Sequence, residues 1–403
     1  MLSSISKTYF IKTFGCYANE ADSGLIAGLL EDLGFVELKL PKFKNEVEEI
    51  NYVLKKVDLF IVNSCSVRQK SEDKVYGIGK IINQFDREKR KRSCVLLTGC
   101  IVGSALGNRK RYQIEDLQRK TRNFNGYFAP SDVSGLLKAL KENNLMKRVK
   151  KISTGKVERK KNDKNHAFVN VSFGCDNFCS YCVVPYSRGG EVSRSKKEIL
   201  QEIKCLVKNG KNEITLCGQN VNSWSLSKSE KAKIRLGNSQ KLPFAGLLRE
   251  LHKIEGLEKI DFISSNPFDF TNDLVEAITL SKISNYIHIA VQSGNNEILK
   301  AMNRRYTAEE FLDLVKRIRK AKPRVEIGTD LIVGFPGETK KQFMDTVKLV
   351  RKAKFAVAFI AMYSPRKGTV AQMTLKDDVP LLEKKRRHSY LTKVWKQSKN
   401  EKK

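Results

Sequence analysis

The residues of this chain best suited to chemistry are its cysteines, nine in all. Cys175, Cys179 and Cys182 follow one another in the spacing C-x3-C-x2-C. Three thiolates so close together can wrap one corner of a cubane iron–sulfur cluster and leave its fourth iron open. Such clusters are ordinarily held by four cysteines, so a trio implies an open site or a distant fourth ligand. Zinc is the alternative, but structural zinc sites pair CxxC knuckles or histidines. The four histidines, His166, His252, His288 and His388, include no such pair. Three further cysteines share one placement: Cys16 closes TYFIKTFGC, Cys65 closes DLFIVNSC and Cys100 closes CVLLTGC. Each stretch is a short apolar run of the kind that forms a buried parallel strand. One such cysteine reads as a small buried hydrophobe. Three at equivalent strand ends read as a second thiolate trio. Cys94 at the start of a strand, Cys205 within a helical pattern and Cys217 within a strand read as core residues.

Elements of a definite kind must position these thiols. Helix-like segments over 20–35 (EADSGLIAGLLEDLGF) and 71–85 (SEDKVYGIGKIINQF) alternate with the first strands. That alternation predicts an open parallel sheet whose C-terminal strand ends share one edge, where ligands bind. YGIGK is not a phosphate loop, since it lacks the Lys-Ser/Thr ending and sits inside a helical pattern. The expected class is α/β: an N-terminal open parallel βα sheet domain over 6–140, then a basic linker over 141–165 that reads as a solvated charge run. Downstream, strands are expected near 168–173, 212–217, 259–264, 286–291, 325–333 and 355–362. They alternate with helices such as KKEILQEIKCLVKNG and AEEFLDLVKRIRKA. This is barrel-type βα repetition over 166–380, with every strand end on one face. His288, in an apolar strand, reads as a satisfied core histidine.

The chain's 403 residues point to two or three domains. Its 76 Lys+Arg against 44 Asp+Glu give a formal net charge of +32. That excess favours a polyanionic partner, nucleic acid before membrane, against the plain alternative of a lysine-rich composition. A hydrophobic fraction of 40% with only 9 prolines excludes a mostly disordered chain. No apolar run reaches the ~18 residues a membrane helix needs, and TFGC follows the first residues too closely for a signal segment. Many cysteines without a leader argue for a reducing compartment and against a secreted disulfide scaffold, so a cytoplasmic location is expected. No heptad run is visible, which leaves a monomer as the expectation.

The spacing C-x3-C-x-aromatic-C, with Tyr181 as the aromatic, resembles the signature of radical S-adenosylmethionine (SAM) enzymes. The resemblance implies a partial (β/α) barrel and an open iron that chelates the amino and carboxylate groups of SAM. It narrows to the methylthiotransferases through TFGCYANEADS (13–23), VNSCSVRQKSEDKVY (62–76), TGC (98–100), GCDNFCSYCVVPYSRGGEVSRS (174–195), GQNVNSW (218–224), VQSGNNEILKAMNRRYT (291–307), TDLIVGFPGET (329–339) and YSPRKGT (363–369). Among those it is most similar to the branch acting on N6-isopentenyladenosine of tRNA. What that implies is methylthiolation of carbon 2 of the adenine at position 37, with two SAM and two [4Fe-4S] clusters. Cys16, Cys65 and Cys100 would hold the auxiliary cluster, and Cys175, Cys179 and Cys182 the SAM cluster. One SAM would methylate a sulfur on the auxiliary cluster. A second would give the 5′-deoxyadenosyl radical that takes hydrogen from carbon 2, a bond too strong for acid–base chemistry.

By the same resemblance, Tyr181 belongs to the cofactor site and Gly218, Gln219 and Asn220 face the SAM amino group. Gln292 and Ser293 would reach its ribose or carboxylate, and Thr329, Asp330 and Val333 its adenine. The implied partners are a tRNA anticodon stem-loop and an electron donor such as flavodoxin or ferredoxin. Alternatives are methylthiolation of threonylcarbamoyladenosine tRNA or of a ribosomal-protein side chain, or a non-catalytic Fe–S RNA-binding relative. The chain departs from the family pattern at Tyr17-Ala18 after the first cysteine, at Ile101-Val102-Gly103 after the third, and at Asn266, where a histidine is common. Residues 381–403 are expected as a basic helical tail containing Lys384 to Arg387, with the family's RNA-binding TRAM domain absent or truncated. Ser225 to Lys241 is expected as a polar surface insertion on the active-site face.

Overall fold

The computed structural model describes residues 6–67, 69–88, 93–146 and 165–400. The chain divides into two units, one of residues 1–163 with Val183–Gly190, the other of residues 164–182 with 191–403. Most of the expected basic linker, residues 147–164, lies outside the described residues.

The first unit runs β1 (Thr8–Phe14), α1 (Tyr17–Asp32), β2 (Val36–Glu37), α2 (Glu46–Lys56), β3 (Leu59–Ser64), α3 (Gln69–Arg87), β4 (Cys94–Thr98), α4 (Cys100–Leu106), α5 (Ile114–Lys120), β5 (Gly126–Tyr127) and α6 (Val133–Glu142), and includes the short α7 (Val184–Ser187). Its five strands lie in the order β2-β1-β3-β4-β5, parallel throughout. Alternation along the central strands feeds two apolar layers. Phe60, Val62, Val95 and Leu97 pack with residues of α2 and α3, while Leu59, Ile61 and Leu96 pack with residues of α1 and α6. Central strands covered on both faces explain their continuous apolar sequence. Register aligns their ends: Phe14 pairs with Ser64, and Asn63 with Thr98. Each of the three cysteines that follow therefore leaves the sheet at the same edge.

The second unit contains β6 (His166–Asn170), β7 (Ser172–Phe173), β8 (Val192–Ser193), α8 (Lys196–Lys208), β9 (Glu213–Cys217), α9 (Lys228–Lys233), α10 (Pro243–His252), β10 (Lys259–Phe262), α11 (Asn272–Ala277), β11 (Tyr286–His288), α12 (Asn296–Ala301), α13 (Ala308–Ala321), β12 (Glu326–Val333), α14 (Lys340–Ala353), β13 (Val357–Met362), α15 (Val370–Thr374) and α16 (Leu381–Asn400). Two three-stranded parallel sheets, β6-β9-β10 and β11-β12-β13, are joined by parallel bridges at Ile260–Ile283 and Ser265–Ile289. The result is a six-stranded partial barrel. Ala167, Val169, Ile214, Leu216, Ile260, Ile287, Ile327, Leu331 and Val333 form one buried core with the helices. The intervening residues face the other way, where His166 Nε2 meets Thr215 Oγ1 at 2.8 Å.

Four expectations change. The strand expected over 168–173 is two: β6 stops at Asn170, and Ser172–Phe173 pairs antiparallel with Val192–Ser193. The strands expected to reach 264 and 291 end sooner, with left-handed backbone at Ser264 (φ 65°) and Gln292 (φ 69°) beyond them. Cys205, expected in the core, is exposed, because α8 buries the stripe Ile199, Ile203 and Leu206. Cys217 is fully buried, and Cys94 is half-buried against an apolar cluster. The Ser225–Lys241 segment is anchored. It carries α9 with a Ser227–Glu230 capping box, and Ile234 enters the barrel core. Among the described residues no helix is long and apolar enough to cross a membrane.

Candidate functional site

In the first unit, Cys16 caps the N-terminus of α1, Cys65 directly follows β3, and Cys100 opens α4. Gly99 (φ 93°) makes the turn into α4, and a Cβ there would strike Asn63 and Ser64. Behind the thiols, Asn19 Nδ2 donates to Asn63 Oδ1 at 2.9 Å, and Asn63 Nδ2 donates to Asn19 O and to Ser23 Oγ, each at 2.9 Å. These bonds tie the start of α1 to the end of β3. Cys65 and Cys100 are buried and Cys16 is exposed. The Cys65 thiol hydrogen-bonds to both neighbours, which lowers Cys16 and Cys100 below the usual thiol range and raises Cys65.

An arginine with a buried side chain lies beside this trio. Arg188 donates from Nε to Cys100 Sγ at 3.1 Å and from Nη2 to Asp22 Oδ2 at 2.8 Å. Ser131 Oγ donates to the other Asp22 oxygen at 2.9 Å. The guanidinium favours thiolate at Cys16 and Cys100, and Asp22 compensates its charge. Gly103 makes this approach possible, since a Cβ on it would collide with the Ser187 carbonyl.

In the second unit, Cys175, Cys179 and Cys182 lie on the loop after β7. Gly174 (φ 67°) and Phe178 (φ 46°) supply its left-handed turns. Asn303 Nδ2 donates to the carbonyls of Asn177 (3.2 Å) and Phe178 (3.0 Å), while Ser180 Oγ donates to Ala301 O at 2.7 Å. Cys182 N closes a turn on Cys179 O at 2.9 Å. Tyr181 packs against Ile298, Met302, Phe335 and Tyr363. Burial pushes the Cys175 thiol up. A second buried arginine, Arg304, donates from Nη1 to Cys179 Sγ at 3.4 Å.

The remaining expected contacts divide by which way they face. Gly218 follows β9, and a Cβ there would come within 2.6 Å of Ser172 Oγ. Gln219 is half-buried, and Asn220 is buried with Nδ2 donating to Asp269 Oδ2 at 2.6 Å. Ser293 Oγ lies 3.3 Å from Thr346 Oγ1 and accepts from Asn295 N. Gln292 engages β12 through its backbone, N to Asp330 O and O to Ile332 N. Strand alternation separates the β12 residues. Thr329 is buried, bonded to Ile289 O and Val291 N, and Val333 lies in the helix-facing core. Asp330 instead presents its carboxylate to His288 Nε2 at 2.8 Å, and Tyr286 OH holds the other ring nitrogen at 2.9 Å. His288 is thus hydrogen-bonded at both ring nitrogens as a satisfied histidine would be, but it is half-buried rather than in the core.

Several buried polar atoms of the second unit lack a hydrogen-bond partner among the described residues: Asn170 Nδ2, Ser172 Oγ, Asn220 Oδ1, Glu191 Oε2 and Asp269 Oδ1, the last with Arg305 Nη2 at 3.9 Å. Asp269 is pushed up to about 6 by burial. Lys231 pairs with Glu191 at 2.7 Å. Burying polar groups without partners is costly, so this cluster after the barrel strands is suited to a polar ligand. Sequence reasoning missed Asp22, Arg188, Asp269 and Arg304, although Asp22, Arg188 and Arg304 lie within motifs it singled out.

Two family models match the chain: the radical SAM superfamily over residues 169–350, and uncharacterized protein family UPF0004 over residues 8–117. A tRNA-2-methylthio-N(6)-dimethylallyladenosine synthase of Thermotoga petrophila is 40% identical over 402 residues, covering 96% of this chain and 81% of the relative. One of Clostridium botulinum is 38% identical over 396 residues with the same shares. Among solved structures, the radical SAM methyltransferase TsrM of Kitasatospora setae, with cobalamin and a [4Fe-4S] cluster bound, superposes with a TM-score of 0.64 at 15% identity, covering 91% of this chain and 77% of that one. The cobalamin-dependent radical SAM enzyme OxsB gives 0.56 at 12% identity over 97% of this chain and 56% of that one. At such identities these two show the fold alone.

Proposed function

We propose a function from one premise: the chain belongs to the tRNA-2-methylthio-N(6)-dimethylallyladenosine synthase family within the radical SAM superfamily. It is a radical SAM tRNA methylthiotransferase. Its reaction places a methylthio group on carbon 2 of N6-isopentenyladenosine in tRNA. Cys16, Cys65 and Cys100 hold one [4Fe-4S] cluster, and Cys175, Cys179 and Cys182 hold the other. The donor sets fit: each offers three thiols, which would leave one iron of a bound [4Fe-4S] cluster without a protein ligand. Among the described residues no three such side chains gather around a single ion, whereas a cubane cluster spreads its thiolates over separate irons. Bound clusters and SAM supply the one-electron and methyl-transfer chemistry that amino acids lack.

The chain's own residues position and insulate. Asn220 Oδ1, Asp269 Oδ1 and Glu191 Oε2, buried without hydrogen bonds among the described residues, are acceptors suited to the ammonium of SAM. Tyr181 walls the second trio with its apolar neighbours. Asn303 and Ser180 hold the backbone between the cysteines that would bind this cluster. The lysine and arginine excess suits RNA phosphates, and an electron donor of the flavodoxin or ferredoxin class completes the partners.

The observation that carries this reading is the pair of thiol trios, each at parallel-strand ends and each with a buried guanidinium N–H on one sulfur. Single substitutions test the division of labour. Cys179→Ala is expected to abolish reductive SAM cleavage. Cys65→Ala is expected to keep 5′-deoxyadenosine formation and lose methylthiolated product. Unchanged product from Cys65→Ala, or SAM cleavage by Cys179→Ala, would contradict the assignment.

A further inference from the structure

The two buried arginines differ in what neutralises them. Arg188 shares its charge with Asp22 at 2.8 Å, so the guanidinium beside Cys100 belongs to a neutral pair. Arg304 has no carboxylate partner among the described residues, and its acceptors other than the Cys179 sulfur are neutral. Nε donates to Tyr306 OH at 3.0 Å, Nη2 to Ala290 O at 2.7 Å, and Nη1 to both Asn266 Oδ1 at 2.7 Å and Cys179 Sγ at 3.4 Å. Its guanidinium also lies over the rings of Phe268 (5.5 Å) and Tyr306 (5.3 Å). No carboxylate lies within 4.0 Å of it among the described residues, and it is only 7% exposed. Water therefore screens this charge poorly, and it acts at short range on whatever Cys179 binds.

We propose that Arg304 is a positioning residue that raises the reduction potential of the cluster held by Cys175, Cys179 and Cys182, through one uncompensated positive charge and one N–H···S bond. Asn266 is the partner that keeps it uncompensated. The proposal rests on the assignment of that trio as a [4Fe-4S] site. The couple concerned is the one-electron step from the 2+ to the 1+ cluster core, with the electron supplied by a low-potential donor. The added electron makes the thiolate-bound cluster more negative, so a nearby fixed cation stabilises the reduced form more than the oxidised one. Charge and hydrogen bonds to sulfur are established levers on such potentials. The identity of residue 266 then matters. A carboxylate there would pair with Arg304 as Asp22 pairs with Arg188, cancelling the charge while leaving the hydrogen bond to sulfur in place.

The test is an EPR-monitored potentiometric titration of the full chain with reconstituted clusters. The signal of this cluster is identified by its response to added SAM. Arg304→Gln and Asn266→Asp are each expected to shift the reduced-to-oxidised ratio at fixed potential about tenfold toward oxidised, ~59 mV lower for a one-electron couple. Arg304→Lys is expected to stay closer to the wild-type protein. Should Arg304→Gln fail to hold iron, Asn266→Asp alone decides, since it retains every donor. Wild-type potentials in both Arg304→Gln and Asn266→Asp would overturn the proposal while leaving the cluster assignment intact. A wild-type protein that binds no SAM-responsive cluster would overturn both.

Discussion

Buried ionisable side chains are where single residues do most here, and Asp269 is the clearest case. Its carboxyl is pushed up to about 6 by burial, against an ordinary value near 3.8. The unfolded chain therefore loses this proton first, and stability falls as pH rises from about 4 to about 6, then levels. Asp269→Asn removes the buried charge and still offers an acceptor to Asn220. In the ligand-free protein the variant is expected to match wild type near pH 4 and to exceed it by about 2–3 kcal/mol above pH ~6. Urea unfolding across that range measures the difference, and a constant offset would contradict the assigned cause. The two cysteine trios stand out in the sequence because metal chemistry restricts both residue type and spacing. Arg188 and Arg304 were not, because in a chain so rich in basic residues only tertiary packing shows which charges lie beside sulfur.

At the scale of elements, parallel strands aligned in register carry the first trio to one edge, and their apolar runs were readable directly. What the runs did not disclose was facing. Alternation on β12 buries Val333 in the apolar core and Thr329 against the backbone of Ile289 and Val291, and sends the Asp330 side chain to the opposite face, onto His288. The C-terminal helix α16 gave a similar lesson. Its run Lys384 to Arg387 read as a basic tail, yet Lys384 and Arg387 are buried. Lys384 pairs with Asp377 at 2.5 Å and Arg387 with Glu338 at 2.7 Å, while Leu391 and Val394 join the barrel core. Glu338 also accepts from Gly334 N at 2.7 Å, and a Cβ on Gly334 (φ 69°) would strike the Lys384 side chain. The helix thereby clamps the turn that leaves β12. Arg387→Ala strands the Glu338 carboxylate and is expected to cost about 3–5 kcal/mol. Urea unfolding measures the loss, and hydrogen exchange at Gly334 is expected to accelerate. A change below about 1 kcal/mol would show that the pair does not hold the turn.

At the scale of the whole molecule, the chain joins an open parallel sheet unit to a partial barrel, and each brings its own thiol trio. The formal charge of +32 suits a polyanionic partner, which neither trio needs for its own chemistry. These features have one common purpose if the substrate is tRNA and the reaction requires two clusters. The central claim is therefore tested most directly on the assembled enzyme. Anaerobically reconstituted protein is supplied with SAM, a one-electron reductant and tRNA carrying N6-isopentenyladenosine, and the RNA is digested and its nucleosides weighed by mass spectrometry. The expected result is conversion of isopentenyladenosine to its 2-methylthio derivative together with 5′-deoxyadenosine. Protein verified to hold both clusters that yields neither product would contradict the account.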